Sequence, residues 1–373
     1  MRITRVEIIP VSVPYPEPYV VASSSKSHQA DVLLKVHTDE GIVGLGEAVY
    51  RPLRGCTLEV MVAVLQHHLG PLLIGEDPLR IERIIAKLGG MDSPWLPALH
   101  AVDLALWDIK GKYLNLPVYE LLGGAARRTI TLSRSLPVKA PGEMAERAVA
   151  LKEAGYRLLT VKIGFDPDED LRRVAAVKDA VGPWPPVEVD ANEGYTADVA
   201  VRYLRLMEPS ITAVEQPTPW WDLHALAEVS RALEVPVIAD QSVPSARHVA
   251  MCARMGAGDV MCLKLVEVGG ITLGRAFVEV AQAHGIPVSM GSAHPLGVGT
   301  AAIHHFAAAT PWVRLPIGYG SPLERLPDDI VRDPVQVRNG EVHLWDGPGL
   351  GVELDEAKVR RWAAGPPIVV DGR

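Results

Sequence analysis

Between residues 158 and 265 the chain reads LLTVKI (158–163), PVEVDA (186–191), ITAVEQ (211–216), PVIAD (236–240) and DVMCLKL (259–265), short apolar runs separated by helical stretches. Runs of this length, rich in β-branched residues and bounded by Pro, Gly or polar positions, read as strands, and strands lacking a polar face belong to a parallel sheet buried on both sides. Working outward, TITLS (129–133) precedes them, and PVSM (287–290) and WVRLPI (312–317) follow. Eight strands thus alternate with seven helical segments such as PGEMAERAVALKEAGY, several closing on a glycine at the position that favours left-handed backbone. An unbroken series of eight favours a closed ring over an open sheet, so the expected fold class is α/β, a (β/α)7β TIM-like barrel.

The flanks read differently. Residues 1–13, 30–36 and 41–48 have the β-branched character of an antiparallel sheet, and the Pro- and Ser-rich stretch YPEPYVVASSSKS (15–27) between the first two reads as a long loop, a candidate lid. Helical periodicity follows in LEVMVAVLQHHLGPLL and in LHAVDLALWDIKGKYLN, the latter ending near Asn115 and Pro117. After the barrel, residues 325–356 carry turn signals and short strands. The expected division is an α+β capping domain over 1–125, the barrel over 126–320, and a C-terminal segment over 321–373 that returns to the cap.

In such barrels the chemistry gathers where the strands end at their C-terminal side. Five ionisable residues end five consecutive strands: Lys162, Asp190, Glu215, Asp240 and Lys264, spaced by 28, 25, 25 and 24 residues, one βα unit each time. Asp190, Glu215 and Asp240 can converge, and three converging carboxylates need a cation. An all-oxygen set points to a hard divalent ion, Mg²⁺ ahead of Mn²⁺, with zinc disfavoured. Lys162 and Lys264 lie four strands apart in a ring of eight and so face each other across the mouth. A buried lysine beside a cation is expected to have a lowered pKa, as a general base requires. One lysine on each face of a carbon acid can remove the α-proton and return it on the other side, the metal stabilising the enolate.

These residues, with GLGEA (44–48), LWDIKGK (106–112), VDAN (189–192), VEQP (214–217), IADQS (238–242), LKLVEVGGIT (263–272) and GPGLGVELDE (347–356), resemble the enolase superfamily and its muconate-lactonizing-enzyme-like branch. The resemblance implies a cap built from both termini, Mg²⁺ on Asp190, Glu215 and Asp240, and Lys162 and Lys264 as acid/base catalysts. It also marks departures. Thr160 stands where the branch has the first lysine of Lys-x-Lys, and Gln241 where Asp-Glu-Ser has its glutamate. Ala293 and His294 occupy the loop after strand seven, where an acidic residue is common. Gly318-Tyr319-Gly320 replaces the Asp-x-Asp of dipeptide epimerases, which disfavours dipeptides as substrates.

Candidate substrate contacts are Tyr19 and Lys26 from the lid at 15–27, Tyr50 and Arg51 from a second lid at about 49–57, and Thr160, Asn192, His294 and Tyr319 from the barrel; Trp220, Trp221 and Tyr319 can offer aromatic faces to an ammonium group. The leading expectation is a Mg²⁺-dependent racemase or epimerase acting α to a carboxylate, on an amino-acid derivative of N-acyl, proline-like or betaine-like type. The alternatives are a lyase or cycloisomerase using the same enolate and, from a different class, a barrel that only binds its ligand. Of 373 residues 48% are hydrophobic, and 45 acidic against 37 basic residues leave a net charge of −8, which argues against a nucleic-acid partner. The three cysteines, with no C-x-x-C pair, and the N-terminus, which lacks an apolar signal core, suit a cytoplasmic protein with no membrane span. Relatives of this kind are commonly dimers or octamers, so a homo-oligomer is expected.

Overall fold

The computed structural model describes residues 1–51 and 55–372. Strands β1 (Ile3–Val21) and β2 (Ser24–Thr38) pair antiparallel along nearly their whole length, and β3 (Val43–Val49) adds to the far edge of β2. The stretch 15–27, expected as a loop, is therefore the upper half of a hairpin: Tyr19 pairs with Lys26, Val20 with Ser25 and Val21 with Ser24. The prolines misled the reading because Pro16 and Pro18, which have no N–H to donate, fall in the register shift between Pro14 and Tyr19, where a ladder bond is dispensable.

The short β4 (Thr129–Thr131) leads into a parallel sheet whose order follows the sequence: β5 (Ser133–Leu136), β6 (Leu158–Lys162), β7 (Val187–Asp190), β8 (Val214–Glu215), β9 (Val237–Ala239), β10 (Val260–Leu263) and β11 (Val288–Met290). The eighth expected strand is reduced to a bridging segment, yet it closes the ring. Val313 bridges Val288 on one side and Ile317 bridges Leu132 on the other, with Arg314 N–H donating to Val288 O at 2.8 Å and Ser133 N–H to Ile317 O at 2.9 Å. Strands and helices thus build the α/β barrel with an α+β cap. Farther on, β12 (Glu341–His343) pairs with β4, and β13 (Ile368–Asp371) pairs antiparallel with β1, carrying the C-terminal segment back to the cap.

The cap is held to the barrel by buried carboxylates that receive backbone N–H groups. Glu47 of β3 accepts from Leu296 at 2.6 Å and Gly299 at 2.8 Å, at the start of the helix Gly297–Ala309. Asp103, in the helix Leu96–Leu114, accepts from Thr272 N–H at 3.1 Å at the start of the helix Ile271–Ala283. Asp108 accepts from Leu45 and from Leu350, both at 2.8 Å, and so ties β3 to the C-terminal segment. Acceptors at helix N-termini satisfy otherwise orphaned donors and are favoured by the helix dipole. The helix Leu96–Leu114 ends on Asn115 in left-handed conformation (φ 54°) and packs so closely on β3 that a Cβ on Gly46 would overlap the Ala101 carbonyl oxygen. Among the described residues no helix is long and apolar enough to cross a membrane.

Candidate active site

Side chains alternate along a strand, so every second residue of each barrel strand points inward. At the upper level these are Lys162, Asp190, Glu215, Asp240 and Lys264, contributed by or just beyond β6 to β10. The pairing registers set Lys162 beside Asp190 and Asp190 beside Glu215. Lys162 forms an ion pair with Asp190, and Lys264 with Asp240. Glu215, between the two pairs, has no ion pair or side-chain hydrogen bond among the described residues. Because β6 and β10 stand four positions apart in the closed ring, the two ammonium groups come from opposite sides of the mouth, with the carboxylates on the arc between.

Burial, then the charges of Asp190 and Asp240, push the Glu215 carboxyl well above its usual range. Burial opposes charge on Lys162, but Asp190, Tyr19 and Glu215 outweigh it and hold the ammonium above the ordinary lysine range; Asp240 and Glu267 do the same for Lys264. Each lysine thus faces a carboxylate contributed by the neighbouring strand. Of the three carboxylates expected to converge, two, Glu215 and Asp240, fall in one group close enough to share an ion, while Asp190 stands outside that group beside Lys162. Glu215 and Asp240 bring oxygens to within 4.8 Å of each other. The Cys262 sulfur lies in the same group, and burial and the neighbouring carboxylates push its thiol well above the usual range.

The loops that follow these strands are held in uncommon backbone conformations. Asn192 (φ 42°), Glu193 (φ 74°), Gln216 (φ 33°), Ala293 (φ 68°) and His294 (φ 64°) are left-handed without being glycine, and such strain gathers where a site must be held open. Local hydrogen bonds fix them. Asn192 donates its backbone N–H and its amide to Asp190 at 2.8 and 3.1 Å. The buried Gln216 accepts from Asp240 N–H at 2.9 Å and donates to Ser242 at 2.8 Å, which locks the end of β9 against β8.

Above the strand tips lies a cavity of about 470 Å³, roofed by the tip of the β1–β2 hairpin. Of the expected contacts, Tyr19, Lys26, Arg51, Thr160, Asn192 and His294 line it, as do Trp220 and Trp221. Tyr50 and Tyr319 do not. Tyr50 lies behind Lys26, whose Nζ is 5.9 Å from its ring centroid. Tyr319 is buried, stacks on the outer face of His294 and donates its hydroxyl to Pro295 O at 2.9 Å, so packing claims it. The centre of the second lid, residues 52–54, falls outside the described residues. Arg51 pairs with Glu267, three residues beyond Lys264. Burial and the Arg51 guanidinium lower the Lys26 pKa to about 8. Burial and four nearby cations, Arg325 foremost, keep His294 neutral, and its ring meets Tyr19 edge-on at 4.7 Å.

Several cavity residues were not singled out from the sequence: Ser133, Ser135, Glu188, Cys262 and Ser289. Their signal was the two-residue strand period, since Glu188 precedes Asp190 by two and Cys262 precedes Lys264 by two, placing each on the same inward face one level down. Arg325 was also missed; from the C-terminal segment it lies over the Tyr19 ring at 4.8 Å and donates to Ser135 at 2.8 Å.

Comparison with known proteins gives a consistent answer. Residues 3–123 match the family model for the mandelate racemase / muconate lactonizing enzyme N-terminal domain, and residues 143–358 match the enolase C-terminal domain-like model. Muconate cycloisomerase 1 of Rhodococcus opacus is 33% identical over 368 residues, covering 97% of this chain and 98% of that protein. N-succinyl-L-Arg/Lys racemase of Bacillus cereus is 30% identical over 364 residues, 95% of this chain and 96% of its own length. A crystal structure of a dipeptide epimerase from Cytophaga hutchinsonii, complexed with Mg and the dipeptide D-Ala-L-Val, superposes with a TM-score of 0.92 at 25% identity, covering all of both chains.

Proposed function

The chain belongs to the mandelate racemase/muconate lactonizing enzyme family of the enolase superfamily and is an enzyme of that family, and we propose that it is a racemase or epimerase acting at the carbon α to a carboxylate, with an amino-acid derivative as substrate. The observation that carries the reading is the approach of Lys162 and Lys264 from opposite sides of the mouth, with three carboxylates between them. Two opposed amines suit inversion: one takes the α-proton from one face while the other, already an ammonium, delivers a proton to the opposite face. Asp190, Glu215 and Asp240 would hold Mg²⁺, the ion in the complexed dipeptide epimerase, with Mn²⁺ as a substitute. When bound, such an ion supplies positive charge to the substrate carboxylate and draws off the anions that otherwise keep both lysines protonated.

The remaining groups position and enclose. Asn192 and Gln216 orient Asp190 and Asp240. The hairpin tip with Tyr19 and Lys26, and Arg51 beside Glu267, line the cavity from above. The same lines of support favour a division into capping residues 1–125, barrel residues 126–320 and a returning segment 321–373. The relatives named muconate cycloisomerase support a second reading, in which one lysine works on an enolate that loses or forms a bond at the β-position.

Incubation with Mg²⁺ in D₂O across amino acids, N-acyl amino acids, hydroxyprolines, betaines and sugar acids separates the readings. A racemase places deuterium at the α-carbon of both enantiomers of recovered substrate. An alkene or lactone without labelled substrate points to the second reading, and absence of exchange and of product with every carboxylate would sink both.

A further inference from the structure

The cavity continues below the charged strand tips. One inward position down, Ser133, Thr160, Glu188, Ile238, Cys262 and Ser289 also line it. This lower level is divided by polarity. Ile238 and Cys262 pack with Ala213 and Val260 into a small apolar cluster on one side, while Ser133, Thr160, Glu188 and Ser289 turn oxygens into the space on the other. Ser289 stands directly beside Cys262 in the β10–β11 register.

Glu188 is the unusual member. Lys162, Lys264 and Arg51, which line the cavity above, each pair with a carboxylate. Glu188 pairs with no cation among the described residues; its recorded side-chain partner is the neutral Thr160 hydroxyl, which donates to Oε1 at 2.8 Å. A carboxylate accepts at about four lone-pair sites, and one neutral donor leaves most of that capacity turned toward the cavity. The register sets Thr160 directly beside Glu188, and the short threonine leaves open the space a longer side chain would fill. Glu188 and Asp190 are two residues apart on one strand, about 6.6 Å. An α-amino acid whose carboxylate lies at the level of the strand tips would turn its nitrogen down toward Glu188.

We propose that Glu188, with Thr160 and Ser133, forms a subsite for a positively charged, N–H-bearing nitrogen, so that the substrate is an amino or imino acid with a free ammonium rather than an N-acyl derivative. The inference rests on the reading that the carbon acid sits between Lys162 and Lys264, and it narrows the substrate class within that reading. A cationic nitrogen inside the barrel gains a charge-assisted hydrogen bond, whereas an isosteric ether turns a lone pair on a carboxylate.

The test uses the full-length protein with Mg²⁺ and two matched pairs of probes: L-proline against tetrahydrofuran-2-carboxylate, and L-2-aminobutyrate against 2-hydroxybutyrate. Calorimetric titration gives affinities, and α-proton exchange in D₂O gives turnover. The wild type is expected to prefer the nitrogen member of each pair by about tenfold or more. In Glu188→Gln that ratio falls toward one while the affinity of the oxygen member stays within about twofold. Thr160→Lys, which sets an ammonium against Glu188 without removing it, abolishes the preference as well and covers the case in which Glu188→Gln does not fold. Equal affinities in the wild type, or a preference that survives in either variant, overturn the inference and leave the carbon-acid reading standing. Failure of all four probes to bind or exchange overturns this inference, while the carbon-acid reading then stands or falls on exchange with the wider set of carboxylates.

Discussion

Replacing Asp103 by Asn tests whether the capping helix grips the barrel through a buried carboxyl. Asp103 reaches from Leu96–Leu114 to Thr272 N–H, at the start of the helix that follows the Lys264 loop. Burial, opposed by hydrogen bonds from Thr272 and Ile271, raises its pKa from 3.8 to about 7. A carboxyl whose folded pKa lies above its unfolded value binds its proton more tightly in the native state, so its contribution is greatest in acid and is lost as pH rises from about 4 through 7. At 1.36 kcal/mol per pKa unit, the ionised group costs about 4 kcal/mol at pH 8 and roughly 2 kcal/mol at pH 5.5. Asn keeps the acceptor and cannot ionise. Wild type should therefore lose about 2 kcal/mol relative to Asp103→Asn between those two pH values. With an unfolding entropy of about 2.1 cal/mol/K per residue over 373 residues, that is a relative shift of about 2.5 °C in Tm. Differential scanning calorimetry of both proteins at pH 5.5 and 8.0 reads it directly. Parallel pH dependences, or a wild type that gains on the variant toward pH 8, would refute the argument.

Three further outcomes follow from the same geometry. Lys162→Gln and Lys264→Gln should each lower α-proton exchange by about 10²–10⁴, each selectively for one enantiomer and the two for opposite ones, as deuterium incorporation measured by NMR will show; equal losses on both enantiomers in both variants would count against opposed faces. Adding Mg²⁺ to chelator-treated protein at about 100 times its Kd should stabilise it by about 2.7 kcal/mol, seen as a rise of a few degrees in Tm, and Glu215→Gln should abolish most of the rise. Gly46→Ala drives a Cβ into the Ala101 carbonyl oxygen and should cost more than about 3 kcal/mol or prevent soluble expression; a chemical-denaturation midpoint within error of wild type would contradict the close packing of β3 on its helix.

The barrel and its charged mouth were legible because each rests on a period. Five charged residues recurring at one βα interval can share one level of a ring, and that interval survives in the linear sequence. What stayed hidden depends on contacts between distant segments. The hairpin tip was obscured because Pro16 and Pro18 signal a break, and only pairing with β2 shows that the break is one irregularity in a continuing ladder. Tyr319 could be assigned to the cavity from its place beside strand eight, but the stacking of His294 in front of it is set by the loop after β11. The raised lysine pKa values depend on ion pairs to the neighbouring strand, which spacing locates but does not orient. Glu188 could have been found by stepping back two residues from Asp190.

The β1–β2 hairpin joins two duties at different heights. Its stem is clamped between β13 and β3 in the four-stranded sheet, while its tip contributes Tyr19, Val21, Ser23, Ser24 and Lys26 to the cavity roof. A graft of another relative's tip residues onto this stem would thus change what the roof touches while leaving the sheet beneath undisturbed. The roof of the cavity is accordingly an exchangeable part, and the surface it offers from above can be rewritten at a handful of positions without rebuilding the barrel strands below.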